Sequence, residues 1–146
     1  MSEAGLPAVA DPGNKFVLAA HRMGITVVPL AGPSSIFMAL MASGLEGQRF
    51  AFHGYLSAKK DELSKQMHQL ENRADQENAT QIFMEAPYRN NQVLDVVGNK
   101  MSAKRLFCIA AGIGSENGFV KTKTVGEWRK AGWPEIHKVP TIFLMR

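Results

Sequence analysis

Two turns rich in glycine and proline enclose one short helix and one apolar run at the start of this chain, and that punctuation narrows the possible folds most. The first turn is Ser2-Glu3-Ala4-Gly5-Leu6-Pro7, followed by Asp11-Pro12-Gly13; the second closes the run Val27-Val28-Pro29-Leu30-Ala31-Gly32-Pro33-Ser34-Ser35. Glycine and proline stop regular structure at each place and leave free backbone N–H groups and small hydroxyls near which a ligand fits. Asp11 can cap a helix with Pro12 at its first position, Phe16, Ala19, Ala20 and Met23 line one face, and Gly24 ends it. Ile25 to Leu30 then reads as a strand. Ser34 or Ser35 opens a second helix with Ile36, Leu40 and Met41 inward and Gly44 as its stop.

A break follows at Glu46-Gly47-Gln48. From Arg49 the pattern gives a strand over 50–55, a helix from Asp61 to about Arg73 with Leu63, Met67 and Leu70 on one face, and a strand over 80–85. A helix from about Asn90 to Met101 and a strand over 106–111 come next. The capping box Thr124-x-x-Glu127 opens a last helix stopped by Gly132, and a strand from about Val139 to Met145 closes the chain. Strands alternating with helices predict an α/β fold, sheet layers covered by helices. The break near residue 47 predicts two domains, 1–48 and 49–146. The first holds about two strands and two helices, too little to hide both faces of a sheet.

Composition excludes several classes. Hydrophobic residues make up 45% of the 146 and charged residues 21%, enough for one ordinary core or two small ones. The single cysteine, Cys108, sits in an apolar run, which leaves no intramolecular disulfide and makes the cytoplasm the default location. The longest unbroken apolar stretch, 36–42, is far short of the ~20 residues of a spanning helix, so no membrane partner is expected. His21, His53, His68 and His137 lack ligand spacing, so no metal is expected. A net charge of +4, from 17 Lys and Arg against 13 Asp and Glu, permits an anionic partner without requiring one. Lysines and arginines gather at 59–65, 89–105 and 121–130, but acids interrupt the first group, and none forms the aromatic-interleaved platform that single strands prefer.

The stretch S-E-A-G-L-P…D-P-G…V-V-P-L-A-G-P-S-S resembles the tetrapyrrole methylase family of S-adenosylmethionine-dependent methyltransferases, and within it the branch that methylates a ribose 2′-hydroxyl of small-subunit ribosomal RNA. The resemblance implies two α/β domains, the first one truncated here, because the family's glycine-rich first loop and its G-D-P turn have no counterpart. It also implies a homodimer, an S-adenosylmethionine cofactor and a ribosomal RNA substrate. Two alternatives stand beside it: a tetrapyrrole or other small-molecule acceptor, and a fragment that only dimerises or binds RNA.

Methyl transfer from a sulfonium asks the protein to align donor and acceptor and to exclude water, so no triad or metal is needed. The Gly32-Pro33-Ser34-Ser35 turn joins a strand end to a helix start, where open α/β sheets place ligands; from spacing alone an ordinary serine-capped connection is the better account, and only the resemblance reverses that order. The resemblance makes Ser34, Ser35 and Ile36 cofactor candidates, and it places Glu3, where relatives usually carry Asp, beside the transferring methyl. The segment Gln81-Ile82-Phe83-Met84-Glu85-Ala86-Pro87-Tyr88-Arg89 is similar to the family's F-Y-E-S/A-P-H-R, with Tyr88 in place of His. Phe83 and Met84 are candidates for packing on adenine, or are core; Glu85 and Arg89 are candidates for contacting the acceptor, or pair with each other at a helix entry. Ala110 and Ala111, small residues before a glycine loop, and Thr141 on the last strand complete the cofactor candidates. The ribosomal RNA branch's R-E-L-T-K motif is absent near 110, where Ala110-Ala111-Gly112-Ile113-Gly114-Ser115 is more similar to the diphthine synthase branch.

Overall fold

The computed structural model describes residues 5–146, and the chain divides into two compact units between Ser35 and Ile36. In the first unit the helix α1 spans Asn14–Arg22 and begins after Gly13 (φ 145°) with no side-chain cap, so Asp11 and Pro12 stay in the preceding turn. Its end is as expected: Gly24 takes φ 69° and Ile25 N–H donates to the Ala20 carbonyl at 2.9 Å, closing the last turn. The face lined by Phe16, Ala19, Ala20 and Met23 is not covered. No residue of α1 is buried, and Phe16 and Met23 are 83% and 74% exposed. The strand expected over 25–30 does not form either. A strand exists only by exchanging hydrogen bonds with a neighbour, and every strand among the described residues lies in the second unit. Ile25, Val27, Val28 and Leu30 consequently stay exposed.

The second unit is built on one five-stranded sheet. Its elements are β1 (Phe50–Tyr55), α3 (Lys60–Gln76), β2 (Thr80–Met84), a single 3-10 turn at Pro87–Arg89, α4 (Asn90–Lys100), β3 (Leu106–Ala111), β4 (Phe119–Thr124), α5 (Val125–Ala131) and β5 (Thr141–Met145), preceded by α2 (Ser35–Ser43). The strand order is β1-β2-β5-β3-β4, with β1 parallel to β2 and β5 antiparallel to both β2 and β3. β4, which sequence periodicity passed over because F-V-K-T-K-T alternates without a strong apolar face, pairs antiparallel with β3 as an outer strand. Lys121 and Lys123 suit that edge position.

Side chains alternate across the sheet, and each face has its own core. On one face Phe83, Phe107, Ile109, Phe143 and Met145 meet Leu63, Met67 and Leu70 of α3, Val93, Leu94 and Val97 of α4, and Trp128 of α5. The rings of Phe83 and Phe143 stack at 5.4 Å and those of Phe107 and Phe143 at 5.8 Å. On the other face Ile82, Cys108, Ala110, Ile142 and Leu144 meet Ile36, Ala39 and Leu40 of α2. Two hydroxyls fix the chain after α2 to the sheet: Thr122 Oγ1 donates to the Ser43 carbonyl at 2.6 Å and Thr80 Oγ1 to the Glu46 carbonyl at 2.7 Å. Packing of α2 against β-strands is why the division falls after Ser35, ahead of the break at 46–48 where composition alone put it.

Because β1, β2 and β3 run one way and β4 and β5 run back, one rim gathers the C-terminal ends of the first three and the starts of the other two. Register fixes the neighbours along it: Tyr55 opposite Met84, Met84 opposite Ile142, and Ala111 opposite both Thr141 and Phe119.

Candidate functional site

The rim of the sheet brings together most of the second-unit candidates. At the end of β2 the chain turns sharply through Glu85 to Asn90, and Glu85 holds the turn. Its side chain is 1% exposed; Oε1 accepts from the Ala86 N–H at 2.8 Å and forms an ion pair with Arg89 Nη2 at 3.2 Å. Of the two readings open from sequence, the structure therefore shows the helix-entry ion pair. Arg89 is 23% exposed at its side chain, its guanidinium lies 5.4 Å from the Tyr88 ring centre, and its Nε is buried without a hydrogen-bond partner among the described residues.

Asn90, the first residue of α4 and wholly buried, is the residue that sequence reasoning missed. Its Nδ2 donates to the carbonyls of Ile136 at 2.8 Å and Val139 at 2.7 Å, with Thr141 Oγ1 at 3.2 Å. Three acceptors around one nitrogen fix the orientation of the amide. The remaining oxygen, Oδ1, is buried and unpartnered. The loop before β5 is also tied to the β2 turn by the Lys138 N–H, which donates to the Pro87 carbonyl at 3.0 Å. An asparagine after the Pro-Tyr-Arg turn was visible in the sequence, but its partners stand more than forty residues away in the chain and only the antiparallel β2–β5 pairing brings them there.

The other candidates divide by where their side chains go. Phe83 is wholly buried on the helix-covered face, so it is a core residue; Met84, on the opposite face, is partly exposed. Ala110 and Ala111 are both buried, one on each face. The small residues after them serve the β3–β4 hairpin itself: Ser115 N–H and Oγ both donate to the Gly112 carbonyl at 2.9 and 2.7 Å, and Gly118 packs so tightly on Gly112 that a Cβ there would collide with that carbonyl. Thr141 is buried and its hydroxyl donates to the Val139 carbonyl at 2.9 Å, which commits it to its own loop. Ile36 belongs to the core under the sheet, Ser34 is buried and Ser35 exposed; Ser34 and Ser35 close the first unit while Ile36 opens the second. Glu3 lies outside the described residues.

No group of three or more His, Cys, Asp or Glu could hold a metal ion among the described residues. Burial pushes the Cys108 thiol above its usual range, with a hydrogen bond to Thr122 opposing it, so this cysteine is an inert core residue. No helix of the described residues is long and apolar enough to cross a membrane.

Comparison with known proteins adds to this geometry. No protein-family model matches the chain. It is 38% identical over 104 residues to the Ribosomal RNA small subunit methyltransferase I of Halalkalibacterium halodurans, covering 68% of this chain and 35% of that protein. Against the protein of the same name from Bacillus subtilis it is 36% identical over 106 residues, covering 73% of this chain and 35% of the relative. The chain thus spans about a third of the length of the curated relatives it matches. Among solved structures, that of the methyltransferase CobJ superimposes with a TM-score of 0.60 at 19% identity, covering 97% of this chain and 61% of that one, a likeness of fold.

Proposed function

We propose that this chain belongs to the tetrapyrrole methylase family and forms part of an S-adenosylmethionine-dependent methyltransferase that modifies a ribose 2′-hydroxyl of small-subunit ribosomal RNA. The observation that carries this reading is the 36–38% identity over more than a hundred residues to enzymes named for that RNA. CobJ contributes fold alone, and a fold shared by many chemistries names no acceptor. A tetrapyrrole or other small-molecule acceptor therefore has no observation of its own here.

The rim chemistry fits a nucleoside-containing cofactor. Arg89, 23% exposed at its side chain, stands in the turn beyond the end of β2, beside the strand ends where α/β sheets bind ligands. Bound S-adenosylmethionine would supply an activated methyl and its own leaving group. Met84, soft and partly exposed on the open side of β2, is placed to pack against an aromatic ring. The Glu85–Arg89 pair holds the turn rigid, and Asn90 with Thr141 holds the loop beside it, so the chain's part is alignment. Separately, the resemblance of the first segment keeps Ser34 and Ser35 as cofactor candidates and Glu3 as a methyl-transfer candidate.

Assembly as a homodimer belongs to the same reading; Phe37, Met38 and Met41 of α2 leave apolar surface for it, Met41 being 84% exposed. The test is transfer of tritium from methyl-labelled S-adenosylmethionine to unmodified small-subunit ribosomal RNA, with S-adenosylhomocysteine titrated by calorimetry. Both are run on this chain and on a polypeptide extended to the length of its relatives. Label in a ribose 2′-O-methyl group is the expected result. Absence of both cofactor binding and transfer in the longer form would overturn the assignment.

A further inference from the structure

Two basic groups that lie apart in sequence meet in the second unit, at the end of the sheet away from the rim. α4 starts beside the rim with Asn90 and runs back along the sheet to Lys100, while α5 starts at the far end, where Thr124 pairs with Leu106. Direct contacts join these two helix ends. The Gly126 N–H donates to the Ala103 carbonyl and the Val125 N–H to the Arg105 carbonyl, both at 2.9 Å. Arg129 Nε donates to the Gly98 carbonyl and Nη2 to the Met101 carbonyl, both at 2.7 Å, which caps the C-terminus of α4. Lys123 of β4 lies over the Trp128 ring, 4.8 Å from its centre. Three exposed lysines are carried by this junction: in the chain, Lys100 stands between the two residues whose carbonyls Arg129 holds, Lys104 between the two whose carbonyls the start of α5 holds, and Lys130 follows Arg129.

We infer that Lys100, Lys104 and Lys130 form a docking surface for the phosphate backbone of the RNA substrate, remote from the rim. Resting on the RNA reading above, this surface adds where the RNA is held away from the reacting site. Among the described residues none of the three lysines has a carboxylate within ion-pair distance, whereas Lys59 and Lys60 at the start of α3 are paired with Glu62 and Asp95. The acids of the neighbourhood are committed: Glu127 accepts from the Thr124 N–H and hydroxyl in the cap of α5, and Glu71 and Asp75 are held by Arg105. In the groove between α3 and α4 that Lys100 borders, Asp95 is paired with Lys60, and Lys65 stands one turn after Asp61 on α3. Unpaired lysines are point charges suited to phosphate, and such contacts position an RNA without reading its bases. The 11 residues of α4 set the surface ~16 Å from the rim. A substrate that reaches both is thus an extended polyanion, not a lone nucleoside or macrocycle. Sequence alone shows two separate basic groups, because only the packing of α5 on the end of α4 unites them.

The three lysines are exposed, so Lys100→Gln, Lys104→Gln and Lys130→Gln leave the fold intact, which the melting temperature verifies; Arg129 is kept, since its guanidinium caps α4. Binding of fluorescein-labelled small-subunit ribosomal RNA to this chain is followed by anisotropy between about 50 and 200 mM salt. Lys59→Gln, the same loss of charge at the rim end of α3, is the control. Each of the three variants is expected to weaken binding about fivefold at ~100 mM salt and to lower the salt slope by about 0.7–0.9, with the control within about twofold of the parent. In the polypeptide extended to the length of its relatives, the same variants should raise the KM for RNA and leave kcat and S-adenosylhomocysteine affinity unchanged, because a contact equal in ground and transition states acts on KM alone. If the parent binds RNA and all three variants match Lys59→Gln within about twofold, the surface is wrong while the RNA reading stands. If the parent binds no RNA, or if phosphatidylserine vesicles and not RNA are what these lysines hold, the surface is equally overturned, and the tritium transfer assay decides separately whether RNA is the acceptor.

Discussion

Replacing Asn90 tests whether the loop before β5 is held as described, and the structure sets both the size and the pH sign of the effect. Asn90→Ala removes the donors to the Ile136 and Val139 carbonyls, but neither carbonyl is left alone: Ile136 O still accepts from the Val139 N–H at 3.1 Å and Val139 O from Thr141 Oγ1 at 2.9 Å. The cost is then two net hydrogen bonds and a small cavity, about 2 kcal/mol, with no penalty for a buried orphan carbonyl. Asn90→Asp keeps the shape but turns a carboxylate oxygen toward those carbonyls in a site of zero exposure, a loss of ~3–5 kcal/mol when ionised. Burial and the facing oxygens raise the folded pKa of that aspartate above its unfolded value of about 3.9, so the loss is greatest at high pH and relaxes as pH falls through the folded value. Urea denaturation between about pH 8 and pH 5 reads this directly. The expected order is parent, alanine, aspartate at the upper end, with the aspartate variant recovering toward alanine at the lower end while the parent stays level. If Asn90→Asp equals Asn90→Ala at the upper end and does not move with pH, the amide does not donate to this loop.

The remaining expectations concern the turns, the acid limb and the core. Gly118→Ala should destabilise by about 2 kcal/mol or more because its Cβ meets the Gly112 backbone, whereas Gly47→Ala, with open space around it and no left-handed φ, should stabilise by about 0.5 kcal/mol; matched denaturation curves decide. The Arg105 guanidinium hydrogen-bonds Asp75 at 2.8 and 2.9 Å and holds its carboxyl below the usual range. Stability from that pair is present above the unfolded carboxylate value and lost as pH falls through the lowered folded one, so Asp75→Asn should flatten the acid limb of a melting-temperature profile. Phe83→Ala should cost ~3–5 kcal/mol in a urea titration, and Phe83→Leu should leave S-adenosylhomocysteine affinity unchanged, since the ring faces Phe143 and the helices. A drop in affinity with Phe83→Leu at intact stability would restore Phe83 as a ligand contact.

What the sequence made legible is local, and what it hid depends on pairing. The Thr124-x-x-Glu127 box forms as spelled: Thr124 Oγ1 accepts from the Glu127 N–H at 3.1 Å and Glu127 Oε2 from the Thr124 N–H at 2.8 Å. Gly24, Gly44 and Gly132 end their helices with φ of 69°, 70° and 82° as their positions announced. These signals work because donor and acceptor lie within one turn. β4 escaped notice because an edge strand needs no apolar alternation, and 25–30 was read as a strand because apolar spacing is blind to whether a neighbour exists.

The same division runs through the site. Glu85, Thr141 and Phe83 attract attention in sequence as chemistry-bearing or ring-bearing residues, yet the fold uses all three on itself: the carboxylate on Ala86 and Arg89, the hydroxyl on Val139, the ring on Phe143. Tyr55 is an unremarked end of a strand until β1 is drawn parallel to β2. Had the strand-helix-strand order from 50 to 84 been taken as a right-handed crossover, the C-terminal ends would have been expected side by side and Tyr55 placed opposite Met84. The rim residues free to meet another molecule are thus those whose polar groups and faces the fold leaves over, chiefly Tyr55, Tyr88 and the outer edge of Arg89. Their removal should be felt in binding, and that of Glu85, Asn90 and Thr141 in stability first.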